Sequence, residues 1–394
     1  MHNKQIFHFI LIKSRMRSVR KIIFLCCIAI VATIVSCKPG KHEVPQTGND
    51  LDRSLMLVNI ADNIILPGYA NFDLKLSDMI LKSDAFRNSP SITTLAAYRA
   101  AWAEAYIEWQ KVALFDFGPA TDNTINSFLN VFPTNMRTIN ANISAGDASL
   151  ETFSSYPAQG FPALDYLING IAATDGDIVA MYDTDVDADK RKAYLLQLTN
   201  QMRRKFDIVH NAWNGSYRNT FVASTGTGLY SSTSIMVNGI SHYYERYLRS
   251  GKFGIPSGAM VGGTPIQTAV EAYYKKDIGQ TLAETAHTAF VNYFNGKDIQ
   301  TGVAGSSLFS YLNALDAKDK TTNVLISTEI NTQFNVVKDK LTLLSSEDLS
   351  NEVSTQNPNM VAVYSQMQLT TRMLKVDMCS AMSITITYTD NDGD

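Results

Sequence analysis

Apolar residues in this chain recur mostly at spacings of three and four. From Leu57, the residues Ile60, Ala61 and Ile64 share one helical face, and Pro67 is expected to kink or end that segment. Between residues 91 and 115, Tyr98, Ala101, Trp102, Ala105, Trp109 and Val112 make one wide stripe. Ser91 stands where an N-cap belongs, and Phe117-Gly118-Pro119 supplies the stop. A third stripe, Leu195, Leu198, Met202, Phe206, Val209 and Trp213, runs through residues 187–213 opposite Lys190, Arg203, Arg204 and Lys205. The Gly/Ser/Thr-rich stretch 214–234 then breaks the rhythm. Helical spacing returns over 235–250, 267–295, 306–316, 321–345 and 359–380, while strand-like alternation is confined to Ser383–Tyr388. The pattern predicts an all-α protein of two packed helical-bundle domains, residues 51–214 and 215–394.

The first fifty residues follow another logic. Arg17, Arg20 and Lys21 precede an apolar run from Ile22 to Val35, which is shorter than the roughly 20 residues a membrane span needs. It ends in Ile34-Val35-Ser36-Cys37, the order of a bacterial lipobox. Residues 1–36 are therefore expected to be a signal peptide starting at Met16, with Cys37 the lipidated residue and 37–50 a flexible tether. The expected location is the cell envelope, lipid-anchored, with the outer membrane the favoured site. Cys26 and Cys27 would leave with the signal peptide, so Cys379 would be the one free thiol, read as a small buried hydrophobe.

Removal of that leader changes the charge. The remaining chain carries 28 Lys/Arg against 37 Asp/Glu, a net of −9. Such a balance excludes a phosphate-binding footprint, and nucleic acid is not an expected partner. The expected partners are the membrane, through the anchor, and envelope proteins.

Motifs narrow the chemistry further. No HExxH, GxSxG, P-loop or GxGxxG is present, and Ser224-Thr225-Gly226-Thr227-Gly228 lacks the residues that grip phosphate. His242 with Glu245, and Glu284 with His287, are i, i+3 pairs of the kind that build iron sites inside bundles, although two further Glu are missing. The same spacing also arises on ordinary polar helix faces. The tail Asp390–Asp394 opens like a calcium loop but ends before the required Glu, so a solvated acidic terminus is the plainer reading.

In order along the chain come Tyr98, Trp102 and Trp109 running into Phe115-Asp116-Phe117-Gly118-Pro119, then Gln159 to Ile168, then Tyr244-Glu245 and Arg249 to Gly258. Through that order the chain resembles the imelysin-like family, and its later segments and ending resemble the Bacteroidetes-type branch. The family hallmark is Gly-x-His-x-x-Glu. Here Gly160-Phe161-Pro162-Ala163-Leu164-Asp165 stands in its place, with Pro162 for the histidine and Asp165 for the glutamate. The resemblance implies an all-helical envelope protein, linked either to iron uptake or to peptidase activity. Proline cannot ligate a metal or carry a proton, which counts against the peptidase. The expectation is thus an iron or haem binding accessory protein, with no catalytic residue assigned. Its site would lie between the bundles, formed by Gly160, Phe161, Pro162 and Asp165, with Asp165, Glu245 and His242 as ligands to iron ahead of zinc. A metallopeptidase and a purely structural lipoprotein stay open as alternatives.

Overall fold

The computed structural model describes residues 53–146 and 148–389. The signal peptide, Cys37, the tether and the acidic tail Asp390–Asp394 lie outside these residues.

Helix α1 (Arg53–Ile60) passes through a π-helical turn, Ala61–Ile65, directly into α2 (Leu66–Asn88). Pro67 therefore does not end the segment as expected. It sits in the first turn of α2, where the preceding wide turn accommodates its missing N–H. Helix α3 (Ile92–Val112) starts on the predicted Ser91 cap, whose hydroxyl accepts from Thr94 N while Thr94 Oγ1 accepts from Ser91 N. Its stripe is fully buried, and α2 and α3 form the most extensive helix pair of the fold.

Short helices α4 (Pro119–Asp122), α5 (Ile125–Leu129) and α6 (Met136–Ala145) lead to α7 (Gly160–Asp165), which passes into a π turn, Tyr166–Gly170. Helix α8 (Asp175–Asp183) precedes the long α9 (Ala188–Ala212). The expected break after Trp213 is only partial, because a π turn (Trp213–Tyr217) with non-helical Gly215 joins α9 to α10 (Arg218–Ala223).

Helix α11 (Ser232–Tyr243) continues as an eleven-residue π segment, Tyr244–Gly254. Helix α12 (Gly279–Phe294) is shorter than predicted. Residues 270–278 form a loop in which Ala272 and Lys276 hold positive φ of 53° and 68°. Then follow α13 (Leu308–Ala314), α14 (Ile326–Leu341), α15 (Leu349–Thr355), α16 (Asn357–Arg372), a π turn (Met373–Met378) and α17 (Cys379–Ala381). Cys379 is buried as expected, and burial pushes its thiol up to about 12.

No strand occurs among the described residues, and the all-α reading stands. The one predicted strand, Ser383–Tyr388, is a correction. It opens on Ser383 at φ 55°, with Ser383 N and Ile384 N bonded back to Ser380 O and Cys379 O, and further on Asn238 Nδ2 donates to Thr385 O (3.0 Å) and Asn238 Oδ1 accepts from Thr387 N (2.8 Å). Helix α12 packs on α3 across the expected 214/215 boundary, and one continuous set of buried apolar side chains runs from Met56 to Ile384. The two halves therefore share a core at that boundary.

Candidate functional site

The hallmark segment is built as a buried hinge of backbone and carboxylate. Gly160 has φ +72°, and a Cβ there would stand 2.2 Å from Leu129 O, so only glycine fits. Phe161 lies flat on Tyr106, with ring centroids 4.5 Å apart and planes 3° from parallel. Pro162 occupies the first turn of α7, where its absent N–H is harmless. Asp165 ends that helix at 1% exposure, accepting from Tyr274 N (2.9 Å) and Asn169 Nδ2 (3.0 Å). Burial lifts its carboxyl from 3.8 to about 7, against the pull of those donors and of Lys275.

Beside this segment lies a closed ion network. Lys252 and Glu271, exposed by 3% and 1%, form a salt bridge. Lys252 Nζ also donates to Gln110 Oε1 at 2.9 Å. Glu271 Oε1 accepts from Asn130 Nδ2 (2.7 Å) and Gln110 Nε2 (3.1 Å), and the Tyr106 hydroxyl lies 3.0 Å away. Each charge is thus met by opposite charge and hydrogen bonds, the condition under which buried ions persist. The loop 270–278 delivers both Glu271 to this network and Tyr274 N to Asp165.

His242 and Glu245 meet different charged partners. The helix changes from α to π at Tyr244, between them. Glu245, at 3% exposure, is held by Lys375 Nζ (3.1 Å), Tyr388 Oη (3.2 Å) and Arg249 Nη2 (3.5 Å). His242 Nδ1 instead stands 3.8 Å from Asp116 Oδ2. Tyr388 links the two, since its ring lies edge-on to His242 at 5.1 Å while its hydroxyl reaches Glu245. The structure brings His242 to Asp116. It does not bring Asp165 to Glu245: each is enclosed by its own donors, and the two sets share no residue.

His242 and Asp116 line an open cleft of about 640 Å³, bounded by α4, α5, α11 and the segment 384–388. Asp122 and the tyrosines 217, 230, 247 and 388 line it as well. Asp116 is 8% exposed and opens onto the cleft; among the described residues no protein hydrogen-bond donor reaches its carboxylate, and His242 is its one charged neighbour within 4 Å. No Lys or Arg lines this cleft among the described residues. Burial keeps the Tyr217 phenol neutral, pushed up to about 12, and Tyr247 is raised as well, with Asp116 adding to the rise. Gly239 lets α11 approach, because a Cβ there would lie 2.5 Å from Asp116 O.

The second i, i+3 pair is structural. His287 is buried, with Nε2 3.0 Å from Phe334 O, and desolvation drops it to about 4. Glu284 accepts from Gln280 at 3.1 Å and faces a different cavity, of about 490 Å³. Among the described residues, no three His, Cys, Asp or Glu side chains converge as a metal site. The environment of Asp165 therefore does not fit a resident zinc or iron centre. Asp116, Lys252 and Glu271 were missed from the sequence. Only the charged residue interrupting Phe115-Asp116-Phe117, an aromatic run, pointed to the first of them.

An all-helical body whose hallmark glycine packs tightly on Leu129 O, with a separate cleft lined by His242, defines the class. The family model for imelysin matches residues 65–374, and the chain belongs to the imelysin family. Two solved structures are similar to it. An imelysin-like protein from Psychrobacter arcticum 273-4 superposes with a TM-score of 0.61 at 16% identity, covering 84% of this chain and 96% of that one. A proposed iron-regulated protein A precursor from Parabacteroides distasonis ATCC 8503 gives 0.62 at 16% identity, covering 82% and 94%. At these identities the likeness is one of fold. No curated protein sequence matches the chain. No helix among the described residues is long and apolar enough to cross a membrane.

Proposed function

We propose that this imelysin-family protein is an envelope lipoprotein, anchored through Cys37, that binds iron-bearing cargo as an accessory of bacterial iron uptake. The observation that carries this reading is Asp116: a carboxylate at 8% exposure that opens onto the cleft and faces an imidazole at 3.8 Å, with no Lys or Arg in the described lining. A carboxylate at the wall of a cleft without basic side chains attracts a cation. Carboxylate, imidazole and neutral phenol groups are suitable partners for a hard cation or its complexes. A fold neighbour described as an iron-regulated protein supports the choice of iron. The site moves from the Asp165–Glu245 pair expected from sequence to Asp116 and His242. The test is retention of iron by the purified chain after exposure to ferric salt, ferric chelates and haem, followed by desalting and metal analysis. The Asp116→Asn/His242→Ala double variant is expected to lose retention of whichever species the wild type holds. Equal retention by wild type and double variant, or none by either, would refute this reading of the cleft. Peptide hydrolysis lost on Asp165→Asn would favour the metallopeptidase instead.

A further inference from the structure

The cleft's size and lining narrow what form its cargo takes. An octahedral ferric ion needs about six donor atoms. The cleft brings one carboxylate and one imidazole together, and no triad of ligating side chains stands among the described residues. A bare ion would find too few donors, and it would leave most of the 640 Å³ unfilled. That volume lies within the range of small-molecule sites, roughly 300–1,000 Å³.

Charge then selects among the iron complexes of that size. Asp116 and Asp122 contribute two carboxylates, with no Lys or Arg beside them in the described lining. Of the cations next to its walls, Lys375 lies over the Tyr388 ring and is bonded to Glu245 at 3.1 Å, and Arg246, beside Tyr247, is exposed to water. Haem brings two propionates and ferric citrate brings several carboxylates, and both would face like charge in a partly desolvated cleft. The walls are aromatic: Tyr217, Tyr247 and Tyr388 line the cleft, burial raises the phenols of the first two, and Tyr230 stands 92% exposed in the same lining. Aromatic faces with carboxylates are how proteins hold organic cations.

We infer that the cleft between α4, α11 and the 384–388 segment takes iron already wrapped in a neutral or cationic organic chelator, with Asp116 opposite its positive charge, and excludes haem and anionic chelates. This deepens the iron reading above and rests on it. The test is calorimetric titration of the full chain with the ferric complex of desferrioxamine B, a trihydroxamate with a free ammonium group. Ferric citrate, haem and metal-free desferrioxamine B serve as comparisons. The cationic complex is expected to bind, and Asp116→Asn to weaken it by about tenfold or more. Asp122→Asn is expected to weaken it less, because that side chain is exposed. Far-ultraviolet circular dichroism and the urea midpoint would show that both variants are folded. Binding of haem or ferric citrate as tight as the cationic complex would overturn the charge selection while leaving the iron reading intact. Metal-free chelator binding as tightly as the loaded form would overturn iron as the cargo and leave a site for organic cations. Absence of binding by all four would overturn the inference.

Discussion

Two carboxylates in this molecule, Glu271 at 1% exposure and Asp116 at 8%, have opposite surroundings. Glu271 is met by Lys252, Asn130, Gln110 and Tyr106, with its capacity to accept hydrogen bonds filled. Asp116 has an imidazole at 3.8 Å and an open cleft. The hallmark segment adjoins the first and not the second. Saturated ionic networks hold a fold together, whereas a carboxylate open to a cleft is available to a ligand. In this chain the hallmark segment packs into the scaffold through Phe161 on Tyr106, and the cleft carboxylate lies outside that network.

The comparison breaks most sharply at the closed network. Lys252→Met strands Glu271 without its counter-ion, and Glu271→Gln strands Lys252. Each is expected to lower unfolding stability by about 3–5 kcal/mol in urea denaturation. The double variant Lys252→Met/Glu271→Gln is expected to recover much of that loss, since neither charge is then buried alone. If either single variant unfolds at the wild-type midpoint, the network is not structural.

Asp165 gives the next largest effect, and its sign follows from burial. Its carboxyl titrates near 3.8 when unfolded and near 7 in the fold. Between those values the native state holds a proton that the unfolded chain has released, so stability falls as pH rises through the window. The favourable contribution is complete below about pH 4 and gone above about pH 7, a change of up to about 4 kcal/mol. Asp165→Asn should flatten that slope relative to wild type in denaturation series from pH 4 to 8. Parallel slopes would show that the carboxyl is not raised. A resident metal at Asp165 would reverse the sign, because it would favour the ionised form.

How much of this was legible in the sequence depends on the range of the interaction. The stripes of α3 and α9 and the Ser91 cap were readable because helical spacing and capping act within a few residues. The π segment at Tyr244–Gly254 was not, because helical spacing reads the same through it. The loop 270–278 was read as helix because its side chains are spaced like one. Positive φ at Ala272 and Lys276, held by tertiary contacts, overrides that spacing. Residues 383–388 read as a strand, yet the Asn238 side chain supplies the pairing. Asp116 and His242 meet only through the packing of α11 on the 116–118 turn. No local pattern encodes that contact.

Gly239 tests that packing. A methyl group there meets the Asp116 backbone carbonyl at 2.5 Å, and neither backbone can yield without moving α11. Gly239→Ala should cost about 1–3 kcal/mol despite the better helix propensity of alanine. It should also abolish ligand binding in the cleft while leaving the Glu271 network intact. Retained binding at wild-type affinity would show that the cleft tolerates a displaced α11.

The smallest stability effect is the most discriminating. Asp116→Asn removes a charge from a site at 8% exposure and keeps the shape of the side chain. Were Asp116 a structural ion like Glu271, losing its charge would leave partners stranded and destabilise the fold by several kcal/mol. It has no hydrogen-bond donor to strand, and His242 remains partly exposed to water. The uncharged amide is also cheaper to desolvate than a carboxylate. The ligand-free variant is therefore expected to unfold within about 1 kcal/mol of wild type, or at slightly higher denaturant, while losing affinity for the cargo. This opposition of unchanged or raised stability and lowered binding separates a binding carboxylate from a structural one. A large loss of stability in Asp116→Asn would place Asp116 with Glu271 in the scaffold and leave the cleft without its anchor.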